Sequence, residues 1–253
     1  MPRVPRKKSK SGIYHIVMRG INRQSIFGDE EDCVKFVQIL QKYKEVCGYK
    51  LYAYCLMGNH LHLLLMEGKE PLEQVMRRIC GSYVFWYNHK YARVGYLFQD
   101  RYKSEPVEDD AYLLTVIRYI YQNPVKAGLV TSLEKYKWSN YKEYLDRDKT
   151  SDINFVLEMF NTNTEKAVKS FIEYINKSSD DVCLDIPEKR KITDEEARTI
   201  IKKLCKVNNT TDLQNFDISD RNKYIKELKE GYNISIRQIE RLTGISRRVI
   251  QRV

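Results

Sequence analysis

Two histidines one residue apart, His60 and His62, stand inside the run MGNHLHLLL. Successive side chains of a strand point to opposite faces, so on an extended segment this pair projects to one side. Two neutral imidazoles on one face can share a divalent cation when a further oxygen or nitrogen donor faces them. A half-buried histidine pair can equally be structural, and the spacing alone leaves both readings open. A second group lies in RYIYQNP, residues 118–124. At about 100° per residue, Tyr119 and Asn123 fall about 40° apart on one helix face. A phenolate beside a cation is a nucleophile for a phosphate, and a carboxamide oxygen beside it projects the same way. The chain has 19 tyrosines, and a helical tyrosine packed in a core is the ordinary alternative. Tyr121 lies about 200° round from Tyr119 and cannot serve the same site unless Pro124 distorts the turn. A third group closes the sequence, ISIRQIERLTGISRRVIQR over residues 234–252. Ser235 with Gln238 has the spacing of a capping box, Gly244 supplies a turn, and Ser246 can cap a second helix. That layout fits a helix-turn-helix whose second helix presents Arg247, Arg248, Gln251 and Arg252, or a plain helical hairpin with a charged face.

The elements that would position these groups follow from periodicity. Ile13 to Arg19 alternates and reads as a strand. Asp29 to Cys47 has apolar residues at helical spacing and is stopped by Gly48. Tyr49 to Leu56 and His60 to Met66 read as two strands joined at Gly58-Asn59, a hairpin. Pro71 opens a helix whose apolar face holds Leu72, Val75, Met76, Ile79, Tyr83 and Trp86. Gly95 to Val107 is extended and turn-rich and is expected to supply a last strand. Asp109 or Asp110 caps a helix that Pro124 is expected to end or kink. Strand, helix, hairpin, helix, strand, helix predicts an α+β, ferredoxin-like (RRM-like) antiparallel sheet with helices on one face. An all-α helix-turn-helix domain is expected to follow it. The boundaries read as 1–150 for the first domain, 151–189 for a helical connector and linker, and 190–253 for the C-terminal domain.

The 253 residues carry 44 Lys+Arg against 34 Asp+Glu, a net charge of +10, and 42% hydrophobic residues. That fraction can fill a core, which excludes a disordered charged tail. No apolar run approaches the roughly 20 residues of a membrane helix. No apolar stretch follows the basic MPRVPRKKSK, so a secretory leader is not expected. Six cysteines at wide spacing form no C-x-x-C pair, which argues against a zinc ribbon and for reduced thiols in a cytoplasmic protein. Residues 1–10 hold five bases and no acid, residues 237–253 five arginines and one acid, and residues 151–200 seven bases and eleven acids. Clustered positive charge fits a polyanion such as nucleic acid, or a solvated surface.

Taken together, YHIVMRGINRQSIF (14–27), YAYCLMGNHLHLLL (52–65), GYLFQDRYKS (95–104), RYIYQNPVKAGLV (118–130) and YKWSNYKEYL (136–145) resemble the REP-associated tyrosine transposases. These are single-tyrosine HUH endonucleases akin to small insertion-sequence transposases. The resemblance implies His60 and His62 as metal ligands, with Mg²⁺ or Mn²⁺ as the ion. It implies Tyr119 as nucleophile and Asn123 as the carboxamide completing the metal site, with Gln122 a competing candidate. It also implies transesterification of single-stranded DNA beside a hairpin, through a 5′-phosphotyrosine and a free 3′-OH, with no nucleotide cofactor. Monomers and homodimers both occur among such proteins. Arg19, Arg23, Arg101 and Lys103 flank the motifs and could track a DNA backbone. Residues 190–253 resemble the C-terminal DNA-binding domain of the replication initiator DnaA, which implies duplex binding through Arg247 and Arg248. Two other classes compete. One is a sequence-specific DNA-binding protein on the same fold without catalysis. The other is a single-stranded RNA binder, which needs aromatics on an open sheet face where this sequence has histidines.

Overall fold

Strand β1 (Ile13–Arg19) lies at the middle of the molecule because two partners need it. It pairs antiparallel with β3 (His60–Met66) on one side and with β4 (Lys103–Pro106) on the other. Strand β2 (Lys50–Met57) completes the hairpin with β3, so the sheet runs β2-β3-β1-β4, all antiparallel. This is the ferredoxin-like order expected from the sequence. The computed structural model describes residues 6–146, 151–185, 193–232 and 234–253. It divides into two compact units, residues 1–186 and 187–253.

Helix α1 (Glu30–Cys47) starts at Asp29, whose side chain accepts from the Asp32 amide while the Asp32 side chain takes the Asp29 amide. It ends at Gly48 with φ of +67°, a left-handed turn that glycine enters without a Cβ penalty. Helix α2 (Leu72–Lys90) follows β3, and Lys90 at its end binds Asp29, Glu31 and the buried Asp32 at 2.7–2.9 Å. The two helices cover one sheet face through Ile16, Met18, Leu56, Leu61, Leu63 and Leu65.

The other face is covered as well, which corrects the expectation of helices on one face. Helix α3 (Asp110–Lys126), α4 (Tyr141–Asp146), α5 (Ile153–Glu158) and α6 (Thr164–Asn176) build a second core with Ala53, Cys55, Met57 and Leu64. The cause is in the strands. Apart from Lys50 and Met66, every residue of β1, β2 and β3 is buried, so neither sheet face can be left to solvent. Helix α6 belongs to this core through Ala167, Phe171 and Ile175, and Phe171 stacks on Tyr144 at 4.3 Å.

Two further expectations shift. Only Lys103–Pro106 of the span 95–107 is strand; Gly95 turns the chain at φ +102°, and Leu97 and Phe98 anchor the loop that follows. Pro124 does not end α3, which runs on to Lys126. In the last turn a proline forfeits one backbone bond, and Pro124 is buried there in exchange.

The outer edge of β2 is closed by backbone and side-chain hydrogen bonds. Leu56 donates to the Trp138 carbonyl and Leu51 to Asp152. Between them Asn140, buried, accepts from the Tyr54 amide at 2.7 Å and the Tyr121 hydroxyl at 2.9 Å. Its Nδ2 donates to the Tyr52 carbonyl and to Ser151 Oγ, each at 3.1 Å.

The second unit is all helical. Helices α7 (Asp194–Cys205), α8 (Ile218–Glu230), α9 (Ile236–Thr243) and α10 (Arg247–Arg252) share a core of Ala197, Ile201, Ile225, Leu228, Ile239, Leu242 and Ile250. Ser235 caps α9 by accepting from the Gln238 amide, but the Gln238 side chain donates to Asp194 rather than closing a capping box. Ser246 makes no side-chain cap; Glu240 of α9 takes the Arg247 amide at 2.9 Å instead. Among the described residues no helix is long and apolar enough to cross a membrane.

Replacing Asn140 by Ala strands the Tyr54 amide and the Tyr121 hydroxyl without solvent. Asn140→Ala is expected to lower stability of the first unit by about 3 kcal/mol, read from the denaturant midpoint of the full chain. A loss under about 1 kcal/mol would show that these bonds do not hold the edge.

Candidate active site

The period of two in β3 separates its side chains cleanly. Leu61, Leu63 and Leu65 enter the core under α1 and α2, and His60, His62 and Leu64 face α3. Cross-strand partners share a face, so the register adds Arg19 opposite His60, Val17 opposite His62, and His15 opposite Leu64. Strand β4 contributes Lys103 opposite Val17 and Glu105 opposite His15. A polar patch therefore sits on this face of the sheet, floored by Val17 and Cys55.

Helix α3 lies over it. Its Asp109 cap accepts from the Tyr112 amide and fixes where the helix begins. Two and a half turns on, the ring of Tyr119 stands 5.7 Å from His62 and 6.0 Å from His15, edge to face in both pairs. Asn123 follows one turn later, with its carboxamide nitrogen 3.5 Å from His62 Nε2. A half-turn of the amide group presents its oxygen at the same point. Gln122 points elsewhere: its amide donates to the carbonyls of Ile175 and Lys177, both at 2.8 Å. His60, His62, Tyr119 and Asn123 are thus gathered on one patch by one polypeptide, and Gln122 is not among them.

Burial sets the protonation states. His62 is fully enclosed, and this holds its imidazole well below the ordinary histidine pKa, with His15, His60 and Arg19 adding to the effect. His62 is therefore neutral, with a lone pair to give. Burial pushes the Tyr119 phenol up, and Asp185 beside it pushes the same way. Its hydroxyl donates to Asp185 Oδ2 at 3.0 Å. His60 Nδ1 meets Asn59 Oδ1 at 2.7 Å.

Two imidazoles and a carboxamide are donors that a small divalent cation accepts, leaving positions for water and a phosphate oxygen. Among the described residues no three His, Cys, Asp or Glu side chains form a metal cage, and the further oxygen or nitrogen donor beside His62 is the Asn123 carboxamide. The residues present fit such an ion.

Three participants were not foreseen from the sequence. His15 lies in the first strand, and its place beside His62 depends on strand register. Glu105 depends on the register of β4. Asp185 comes from the segment after α6, which straps α3: Lys126 donates to the Ser179 carbonyl, and Arg118 forms a two-point ion pair with Asp181 at 2.7 and 3.0 Å. The Leu184 amide binds Glu105 at 3.1 Å. The candidate DNA contacts are scattered. Arg19 is buried, with its Nε lacking any hydrogen-bond partner among the described residues. Arg23 is half-buried in the turn after β1, and Arg101 and Lys103 are exposed near β4. In the second unit Arg247 and Arg248 are both exposed at the start of α10.

Residues 8–123 match the family described as "Transposase IS200 like". No curated protein matches the chain. Among solved structures the chain is similar to a REP-associated tyrosine transposase bound to a REP hairpin. Identity is 19% and the TM-score 0.49, over 60% of this chain and 93% of that one. It is also similar to a transposase described from Deinococcus radiodurans R1, at 18% identity and a TM-score of 0.34, over 47% of this chain and 95% of that one.

The strap over α3 rests chiefly on the Arg118–Asp181 pair. Asp181→Ala is expected to raise amide exchange in residues 178–185 by about tenfold, with α1 and α2 protected as before. Unchanged exchange there would mean that the ion pair does not hold the segment down.

Proposed function

We propose that the protein, whose residues 8–123 match the IS200-like transposase family, cleaves and rejoins single-stranded DNA beside hairpins through a 5′-phosphotyrosine. The observation that carries this reading is the convergence of His62, Asn123 and the Tyr119 ring on one sheet face. Tyr119 is the nucleophile. His60, His62 and Asn123 would hold Mg²⁺ or Mn²⁺, which when bound would supply Lewis acidity toward the scissile phosphate.

The chain's own groups do the rest. Tyr119 rests as a neutral phenol, because burial and Asp185 both oppose a standing negative charge. Its proton therefore leaves as the oxygen attacks phosphorus, and Asp185, 3.0 Å from that oxygen, is the adjacent acceptor. The new O–P bond replaces the bond to the 3′ oxygen, which departs and takes up a proton as a 3′-OH. The phosphodiester energy is kept in the tyrosyl ester, so a second 3′-OH can reverse the step and join strands without a nucleotide cofactor. Arg19, buried opposite His60 with an unpaired Nε–H, offers a charge-assisted bond to a phosphate oxygen. Arg23, Arg101 and Lys103 extend positive charge from the site along the backbone of the bound strand.

The second unit is a duplex-binding module in this reading. Helices α9 and α10, joined across Gly244, have the layout of a helix-turn-helix, with Arg247 and Arg248 directed to DNA. The division is a transposase domain over 1–150, a segment over 151–189 whose helices α5 and α6 pack into the core of the first unit, and a DNA-binding domain over 190–253. One chain supplies all the reacting side chains, which suits a monomer and does not exclude a homodimer, and the work is placed in the cytoplasm.

The test uses the full chain, Mn²⁺ or Mg²⁺, and a pool of single-stranded hairpin oligonucleotides with short flanks, labelled at the 3′ end. The expected product is a labelled protein adduct on a denaturing gel. It should disappear with EDTA, and fall by about 10³-fold or more in Tyr119→Phe. An adduct that survives Tyr119→Phe would reject the nucleophile. Hairpin binding with no adduct in any pool member would identify a binding protein instead.

A further inference from the structure

Behind the three metal donors lies a second row of polar groups that the proposed reaction does not use. His15 is fully buried on β1, and its Nε2 meets His62 Nδ1 at 3.1 Å. The two rings are near coplanar, at 24°, and joined edge to edge. On the far side, His15 Nδ1 has no hydrogen-bond partner among the described residues, and the closest carboxylate is Glu105 Oε2 at 3.9 Å. Glu105 is the residue directly opposite His15 in the β1–β4 ladder. It is itself held from the strap by the Leu184 amide.

We propose that His15 and Glu105 are positioning residues that fix the tautomer and ring orientation of His62 as a metal ligand. The inference rests on the metal-site reading given above and extends it to a role for two residues outside the ligand set. The argument is one of proton count. The Nε2 of His62 faces Asn123, so this nitrogen must carry the lone pair if both are ligands. A neutral imidazole has one N–H, and it is then on Nδ1 of His62. That proton is donated to His15 Nε2, which must be an acceptor. The single proton of His15 is therefore on Nδ1, directed to Glu105. The order carboxylate, imidazole, imidazole, ligand nitrogen leaves each proton one place to go. Outer groups of this kind set the basicity and direction of a ligand, and losing them typically costs 10- to 100-fold in metal affinity. Glu105 Oε2, 3.9 Å from His15 Nδ1, is held on that side by the Leu184 amide, so the carboxylate faces the imidazole across a gap that a small side-chain shift closes.

Mn²⁺ binding by the full chain, followed by loss of the free-ion electron paramagnetic resonance signal, tests this without DNA or turnover. Thermal unfolding runs alongside. His15→Leu keeps the volume and removes the acceptor, and it is expected to weaken Mn²⁺ at least about tenfold. His15→Gln returns an acceptor oxygen and is expected to recover most of that loss, although it packs no better than Leu. Glu105→Gln, on a part-exposed side chain, should fold normally and weaken Mn²⁺ severalfold. Leu and wild type binding alike would overturn the proposal. So would Leu and Gln failing equally in step with a loss of melting temperature, which marks a packing role. If the wild-type chain binds no Mn²⁺, or binds it unchanged in His62→Ala, the metal reading itself fails and this inference with it.

Discussion

The two-residue period of strand β3 governs how every other part of the first unit is arranged. Leu61, Leu63 and Leu65 belong to one core, and the intervening His60, His62 and Leu64 belong to the opposite face. A shift of one residue in the pairing would exchange the two sets, burying imidazoles under α1 and α2 and turning leucines toward α3. The register is held against this from both edges. Antiparallel pairing to β1 is unbroken from Ile13–Met66 to Arg19–His60, and β2 is pinned by Asn140 and Asp152. The precise strand alignment that stability demands is the same alignment that brings His15, Arg19 and Glu105 to the histidines.

Burying so many polar groups on a sheet costs free energy unless each finds a partner. Here the groups are used against one another. His62 is satisfied by His15 on one nitrogen and approaches Asn123 with the other, and Tyr119 is satisfied by Asp185. Among the described residues of β1 and β3, two buried side-chain atoms have no hydrogen-bond partner, His15 Nδ1 and Arg19 Nε. Both adjoin the same histidines, at the inner and outer ends of the patch. The arginine donor is enclosed on the strand pair with His60, and the imidazole nitrogen faces the Glu105 carboxylate at 3.9 Å.

Much of this was legible in the residues. The alternation of IYHIVMR and HLHLLLM placed two strands to the residue, Asp29 and Gly48 bracketed α1, and the 40° offset of Tyr119 and Asn123 is what brings both onto the histidines. The choice between Asn123 and Gln122 was not legible. It turns on α6, whose carbonyls at Ile175 and Lys177 engage Gln122 from the far side. Nor was His15, since no local pattern says which strand will neighbour which, or in what register. The second helix-covered face followed from a feature present in the sequence but read as alternation: the polar positions of β1 and β3 are separated by Val17, Leu64 and Cys55, too apolar to leave open. Ser246 makes no side-chain cap, and the only first-turn amide of α10 seen to meet a side chain among the described residues is that of Arg247, taken by Glu240 of the preceding helix.

The strap from Lys177 to Asp185 ties α3 to its own chain at Arg118, Tyr119, Gln122 and Lys126. A helix stitched down at four points cannot be lent to a neighbouring molecule without first being unpicked. His62, Tyr119 and Asn123 are thus brought together by a first-order process, as one chain folds. The side chains gathered on that sheet face need no second copy of the chain to meet one another.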